Sequence, residues 1–180
     1  FIGSFAHLPN VMAVAFLLEE VWPLLNWPRP RLHVIAGRRH RYYLAEYADR
    51  VRVDFTRADV EVEDFVADPR PAYRRATVAI APLVVSAGTN IKIMEAMAMG
   101  KAIVSTPAGI NGLDLAPGED VIVARDAGEM AASISALLAD PGRRRALERR
   151  ARATVERLFS WRAIARRQTR LYESLKAGNL

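Results

Sequence analysis

Thr77–Leu83 reads Thr-Val-Ala-Ile-Ala-Pro-Leu, a strand-length run whose apolar residues stand at successive rather than alternate positions. Such a strand needs cover on both faces, as in a parallel sheet packed between two layers of helices. The rest of the chain supplies that setting. Phe1–Phe5 reads as a short buried strand, and Pro9–Leu25 follows with Val11, Val14, Ala15, Leu18, Val21 and Trp22 at helical spacing. Arg31–Gly37 is a second strand closed by glycine, and Tyr42–Ala48 a short helix. Val51–Phe55 and Val60–Phe65 read as further short strands, and Pro69–Ala76 as a helix with proline at a favoured early position. Gly88–Met99 supplies a helix, Ala102–Ser105 and Val121–Val123 two more strands.

This alternation predicts an α/β fold with a doubly wound, mostly parallel, Rossmann-like sheet and right-handed crossovers over residues 1–141. From Asp126 the pattern turns helical: Asp126–Leu138, Gly142–Leu158 after the Asp140-Pro141-Gly142 break, then Ser160–Leu175 with Ser160 as N-cap. Residues 142–180 are expected to form basic helices that pack on this domain or on another one upstream. Ligands of such sheets lie beyond the carboxyl ends of the strands, which directs attention to Gly3–Asn10, Gly37–His40, Val66–Asp68, Pro82–Asn90 and Thr106–Gly112.

The chain has no cysteine, which excludes disulfides, thiolate metal sites and a cysteine nucleophile, and is compatible with the cytosol. No apolar run is long enough to span a membrane. Opening on a strand, with no leader or cap, leads us to expect that the natural protein continues upstream of Phe1. Charge is unevenly spread: Pro141–Leu180 carries twelve Lys/Arg and three Glu, the other 140 residues fourteen and seventeen acids.

The segment with most chemistry is Ser86–Gly100. Glycine and small residues let a ligand approach the backbone, while Thr89 or Asn90 can cap the following helix and leave its first amides outward, an arrangement that attracts phosphate. That helix is apolar almost all round, which predicts burial on most sides, and Glu95 is its only carboxylate. Two readings of Glu95 stand at this point. A buried carboxylate accepts well from a pair of sugar hydroxyls; alternatively, Glu95 pairs with Lys92 one turn earlier and both face solvent.

Gly88-Thr89-Asn90-Ile91-Lys92-Ile93-Met94-Glu95-Ala96-Met97-Ala98-Met99-Gly100, continuing to Thr106, resembles the signature of the group 1 glycosyltransferases, glycosyltransferase family 4. The similarity extends over the chain, through Phe1–Phe5 with Pro9-Asn10, Val34–Gly37, Phe65–Pro69, Gly109–Leu113 and Phe159-Ser160-Trp161. It implies one half of the two-Rossmann-domain glycosyltransferase B fold, the half that binds a nucleotide diphosphate sugar in a retaining, hexosyl-type transferase. By that resemblance Glu95 holds the ribose hydroxyls, the amides at Gly88, Thr89 and Asn90 face the diphosphate or sugar, and Phe65–Asp68, Val66 among them, lies beside the base. Gly3, Ser4, Gly37, Arg38 and Lys92 complete the expected donor site.

Two departures from the family pattern stand out. The first of the family's two glutamates, eight positions before Glu95, is replaced by Ala87, and the basic pair after the first strand is missing, leaving only His7. Lys92, Arg38 or Arg39, or loop amides can take over neutralisation of the diphosphate. No catalytic residue is assigned, because the resemblance puts the acceptor-side group on an N-terminal acceptor domain, and the chain alone is expected to be inactive. No cofactor or bound metal is expected; the sequence shows no evident cluster of histidines and carboxylates. The arginine-rich tail reads as a solvated face, an attachment to anionic lipid at the inner face of a bacterial membrane, or packing on the upstream domain. Nucleic acid is not an expected partner. A sugar-nucleotide epimerase of the same fold, and a non-catalytic partner subunit that kept it, remain alternative functions.

Overall fold

The computed structural model describes residues 1–26, 29–86 and 88–178. Five parallel strands form its centre: β1 (Leu32–Ile35), β2 (Val60–Glu63), β3 (Ala79–Ala81), β4 (Ile103–Ser105) and β5 (Ile122–Val123). They fall into two sheets, β1–β2 and β3–β4–β5. Phe1–Phe5 lies along the free edge of β1 through a parallel bridge between Ile2 and Ile35 and through Gly3 N–H to Ile35 O and Phe5 N–H to Ala36 O, at 3.0 and 2.8 Å. The expected single sheet is therefore divided where the chain order reverses. A cavity of about 480 Å³, lined by Ile2, Ile35, Ala79, Ala81, Ile93 and Ile103 among others, occupies the division.

Burial on both faces explains the continuous apolar strands. Ala102 and Val104 pack toward one side with α1 (Leu8–Phe16) and α6 (Ala127–Ala139), through Val11, Val14, Met130 and Ile134. Ile103, from the same strand, packs toward the other with α4 (Ile91–Ala98) and α7 (Pro141–Phe159), through Ile93, Met97, Ala151 and Val155. This is the period-two alternation of a strand, with apolar residues on both sides because both sides are covered.

Several expected elements change form. The helix predicted over Pro9–Leu25 is α1 followed by a π-helical turn (Leu17–Val21) and a 3₁₀ turn (Trp22–Leu24), where Pro23 ends the regular ladder. Tyr42–Ala48 is α2 (His40–Glu46), and Pro69–Ala76 is α3 (Arg70–Arg75). Val51–Phe55 is not a strand: Val51, Val53 and Phe55 pack on the core at alternate positions, Phe55 stacking on Phe5 at 6.0 Å, but their backbone joins no ladder. A short helix not expected from sequence, α5 (Pro107–Ile110), follows β4; Thr106 Oγ1 caps it by accepting from Gly109 N–H at 3.1 Å, and Pro107 opens it.

Asp126, Asp140 and Ser160 cap α6, α7 and α8 (Trp161–Lys176), as the sequence predicts for Ser160. The fourth residue of each capping segment donates its amide to the capping side chain, which satisfies one of the free amides of the first helical turn. Helix α7 belongs to the core through Leu147, Ala151, Thr154 and Val155, whereas α8 has no buried residue. No helix among the described residues is long and apolar enough to cross a membrane.

Candidate functional site

The carboxyl end of Phe1–Phe5 and the start of α4 meet through one side chain. Lys92 reaches from the first turn of α4 to Asn10 on α1, donating to its Oδ1 at 2.5 Å, and its ammonium sits 4.9 Å from the centre of the Phe1 ring. Asn10 is buried and oriented, its amide donating to Ser4 O at 2.8 Å. Gly3 is what allows the approach: a Cβ there would lie 2.8 Å from the Asn10 side chain and 2.9 Å from Lys92 Nζ. Gly37, at φ +81°, is held against Ser4, 3.0 Å from the position its own Cβ would take. Gly3, Ser4, Gly37 and Lys92 thus come together, with Asn10 as the residue that joins them.

Burial holds the Lys92 ammonium well below its ordinary value, to about 8, with the charge of Glu95 pulling partly the other way. Among the described residues no carboxylate lies within ion-pair distance of it. Its closest partner is a neutral amide. The site therefore contains a poorly solvated cation with no ion-pair partner among the described residues.

Glu95 departs from the expected burial and from the expected pairing with Lys92. It is exposed, not buried, because α4 buries only the face carrying Ile93, Ala96 and Met97 and leaves Ile91 63% exposed. Nor does it pair with Lys92, which has turned toward Asn10. Its Oε2 instead accepts from the hydroxyl of buried Tyr73 on α3 at 3.3 Å. Burial, then the neighbouring charge and hydrogen bond of Glu95, push the Tyr73 phenol far above its usual range, so it remains a donor. One edge of the carboxylate is anchored; the rest faces outward.

Asn90 stands at the N-cap position of α4 with extended backbone, but its side chain does not cap the helix. It donates instead to Gly109 O at 2.7 Å and to Ser86 Oγ at 2.9 Å, tying the loop before α4 to α5. The first turn of α4 is left without a side-chain cap, which suits an anion. Gly88 and Thr89 are exposed beside it. Ala87 lies outside the described residues.

Arg38 belongs to a separate group. Its guanidinium stacks 4.1 Å from the centre of the half-exposed Phe65 ring, next to half-buried Val66, while Arg39 adopts a left-handed backbone and covers Tyr42 at 4.6 Å. Neither arginine is brought to Lys92 by any hydrogen bond or ion pair among the described residues. His7 is an exposed N-cap residue of α1 without a capping bond.

A family model described as glycosyl transferases group 1 matches residues 1–140. The chain belongs to that family. A comparison with curated proteins finds no match. Among solved structures, a glycosyltransferase from Rickettsia africae superposes with a TM-score of 0.72 at 14% identity, over 96% of this chain and 46% of its own. Sucrose-phosphate synthase from Thermosynechococcus elongatus gives 0.63 at 24%, over 97% and 43%. The C-terminal domain of a group 1 glycosyl transferase from Francisella tularensis gives 0.57 at 16%, over 85% and 78%. This group 1 chain spans less than half the length of the first two, and its fold is that of one half of the two-domain glycosyltransferase B architecture.

Two site residues of this group 1 chain escaped the sequence reading. Asn10 is the one polar side chain in the first turns of an otherwise apolar helix, a signal visible in the sequence. Tyr73 had none, since only the packing of α3 on α4 brings its hydroxyl to Glu95. The parallel register also gathers a cluster that the linear sequence hides: His33 stands opposite Glu61, and the ligand atoms of His33, Glu61 and Glu63 lie within 4.8 Å of one another. His33 Nε2 and Glu63 Oε2 are already bonded at 2.9 Å, a cross-strand pair remote in sequence from the α4 signature.

Proposed function

We propose that this chain is the donor-binding half of a glycosyltransferase: it holds a nucleotide diphosphate sugar, and the complete protein passes the hexosyl group to an acceptor with retention. The observation that carries this reading is the pairing of functions on one turn of α4. Lys92, a half-buried ammonium with no ion-pair partner among the described residues, sits at a helix start without a side-chain cap. Glu95, one turn further on, presents a carboxylate fixed on one side by Tyr73.

A diphosphate suits the first of these, because a cation and free helix amides both favour its charge. Ribose hydroxyls suit the second, since an ionised carboxylate accepts two hydrogen bonds at once. Gly88, Thr89 and Asn90 then border the diphosphate, Gly3, Ser4 and Gly37 give the backbone room at the first strand, and the Arg38–Phe65 stack with Val66 flanks the base. Lys92 thereby takes the place of the basic pair that the family carries after its first strand. Its charge stabilises the leaving nucleotide without a metal ion. The acceptor and the group that receives its proton come from an N-terminal domain, so the chain alone binds donor and does not turn it over.

Calorimetric titration of the chain with UDP, GDP and ADP tests the assignment, with Glu95→Ala as the control and circular dichroism to verify that the variant folds. Saturable binding of one nucleotide, lost in the folded variant, is the expected result. Equal binding by the variant would remove Glu95 from the site, and absence of binding by the intact chain would favour a partner subunit that has kept only the fold.

A further inference from the structure

Helix α1 is apolar apart from Asn10, and that one amide is buried. A buried amide needs partners at both ends, and the two that Asn10 finds differ in kind. Its Nδ2 donates to Ser4 O at 2.8 Å, and its Oδ1 accepts from Lys92 Nζ at 2.5 Å. The first bond fixes the second: a backbone carbonyl takes only a donor, so the oxygen of the amide is left to face the ammonium. Gly3 closes the arrangement, since a Cβ there would lie 2.8 Å from the Asn10 side chain and 2.9 Å from Lys92 Nζ.

Charge alone does not place Lys92 here. Glu95 stands three residues further along the same helix, a spacing that allows an ion pair. Among the described residues no such pair forms, and the ammonium crosses to a residue 82 positions away. A lysine is a point charge on a flexible stem and has no preferred direction of its own. The direction comes from Asn10, which is held by Ser4 and whose backbone amide donates to His7 O at 2.9 Å. An amide oxygen orients a cation and leaves its full charge for another anion. Aspartate, of nearly the same shape, would orient it and cancel it.

We propose that Asn10 is the positioning residue for the donor phosphates: it aims the Lys92 ammonium at the start of α4 and, being neutral, keeps that charge free for the ligand. This role rests on the reading of the site as one for a nucleotide diphosphate. The titratable groups around Lys92 are Glu95 on its own helix, the Tyr73 phenol on α3, whose hydroxyl is 3.4 Å from Lys92 O, and the terminal amine of Phe1. Burial, and then the Lys92 charge, hold that amine down to about 5.

Calorimetric titration of the 180-residue chain with UDP, GDP and ADP near pH 8, in buffers of different ionisation enthalpy, tests the role through Asn10→Asp and Asn10→Ala, with melting measured on each. Asn10→Asp keeps the shape and the acceptor but pairs Lys92. It should lower affinity for the bound nucleotide at least about tenfold, the scale of one charge-assisted contact, while melting stays in place or rises. Proton uptake on binding should vanish, because a paired ammonium is already charged. Asn10→Ala releases Lys92 toward solvent and should lower affinity about fivefold, with uptake again lost as the ammonium returns to its ordinary value. A purely structural amide would give another pattern, affinity and melting falling together with proton uptake per bound nucleotide unchanged. That pattern, or binding by Asn10→Asp as tight as by the intact chain, would overturn the proposal. If the aspartate variant does not fold, the alanine variant decides alone: loss of uptake supports the role and unchanged uptake removes it. No binding by the intact chain would overturn the donor reading and this role together. Binding that Glu95→Ala abolishes and neither Asn10 variant alters would leave the donor reading standing and take Asn10 out of it.

Discussion

Binding of a nucleotide diphosphate should draw protons onto Lys92, because the site holds that ammonium near its titration point and the ligand supplies the anion it lacks. The folded value is about 8, below the ordinary 10.5, so the unfolded chain binds more protons between those two points. Stability therefore rises with pH in that window, the reverse of what a salt-bridged lysine gives. One bound proton of difference is worth about 1.36 kcal/mol for each step of one in pH, so the gain amounts to about 2 kcal/mol between pH 8 and 10. Tyr73 limits the window from above: its raised value means the unfolded phenol ionises first, and stability is lost again beyond about pH 10. A diphosphate beside Lys92 restores the charged form, so near pH 8 binding should take up about half a proton. The assay is calorimetric titration with the nucleotide in buffers of different ionisation enthalpy, where the slope of observed enthalpy counts protons. Lys92→Met should bind more weakly and show no slope at this pH. Tight binding by the intact chain with zero proton uptake would refute the placement of the phosphates at Lys92, whatever the nucleotide does elsewhere.

Four further outcomes follow from the same geometry. Glu95→Gln should keep the fold, since the side chain is exposed, and lose about 2 kcal/mol of nucleotide affinity, roughly thirtyfold in titration. Tyr73→Phe removes only the hydroxyl that anchors Glu95 and should cost about 1 kcal/mol, close to fivefold in affinity, with melting little changed. Gly3→Ala places a methyl group where Asn10 and Lys92 meet and should weaken binding and lower thermal stability together, by about 1–3 kcal/mol of overpacking in a denaturant titration. Thr154→Val strips a buried donor from Asp120, a bond of 2.8 Å, and should destabilise the chain by about 1–3 kcal/mol without touching nucleotide affinity.

The fold was legible because its strands are short and continuously apolar and its helices begin with Pro, Ser, Thr or Asp at recognisable positions. Val51–Phe55 misled for a physical reason: alternate burial shows which side chains face a core, but not whether the backbone between them finds a ladder partner. The site was legible to the extent that it is local. Lys92 and Glu95 are three apart on one helix, and a sequence shows that spacing; it does not show that the lysine leans toward α1, 82 residues away in the chain, while the glutamate is held by α3. Glu95 was expected to be buried because α4 is apolar nearly throughout, but the helix buries only the face carrying Ile93, Ala96 and Met97, and Ile91 and Glu95 remain outside the contact.

The basic tail makes the same point about charge. Counted along the sequence, the arginines after Pro141 form one run and invite one explanation. In the structure they divide at Ser160. Helix α7 buries a stripe of Leu147, Ala151 and Val155, and three of its arginines, Arg144, Arg150 and Arg152, bond Leu137, Glu119, Glu156 and Ala98, so the helix is a structural part of the domain that carries the candidate site. Those of α8 border an equally apolar stripe that covers nothing among the described residues. Shortening the chain after Phe159 should therefore leave its melting temperature in place. Shortening it after Ala139 uncovers Ile93 and Met97 on α4, the helix that carries Lys92 and Glu95, and should unfold the domain and the candidate site together.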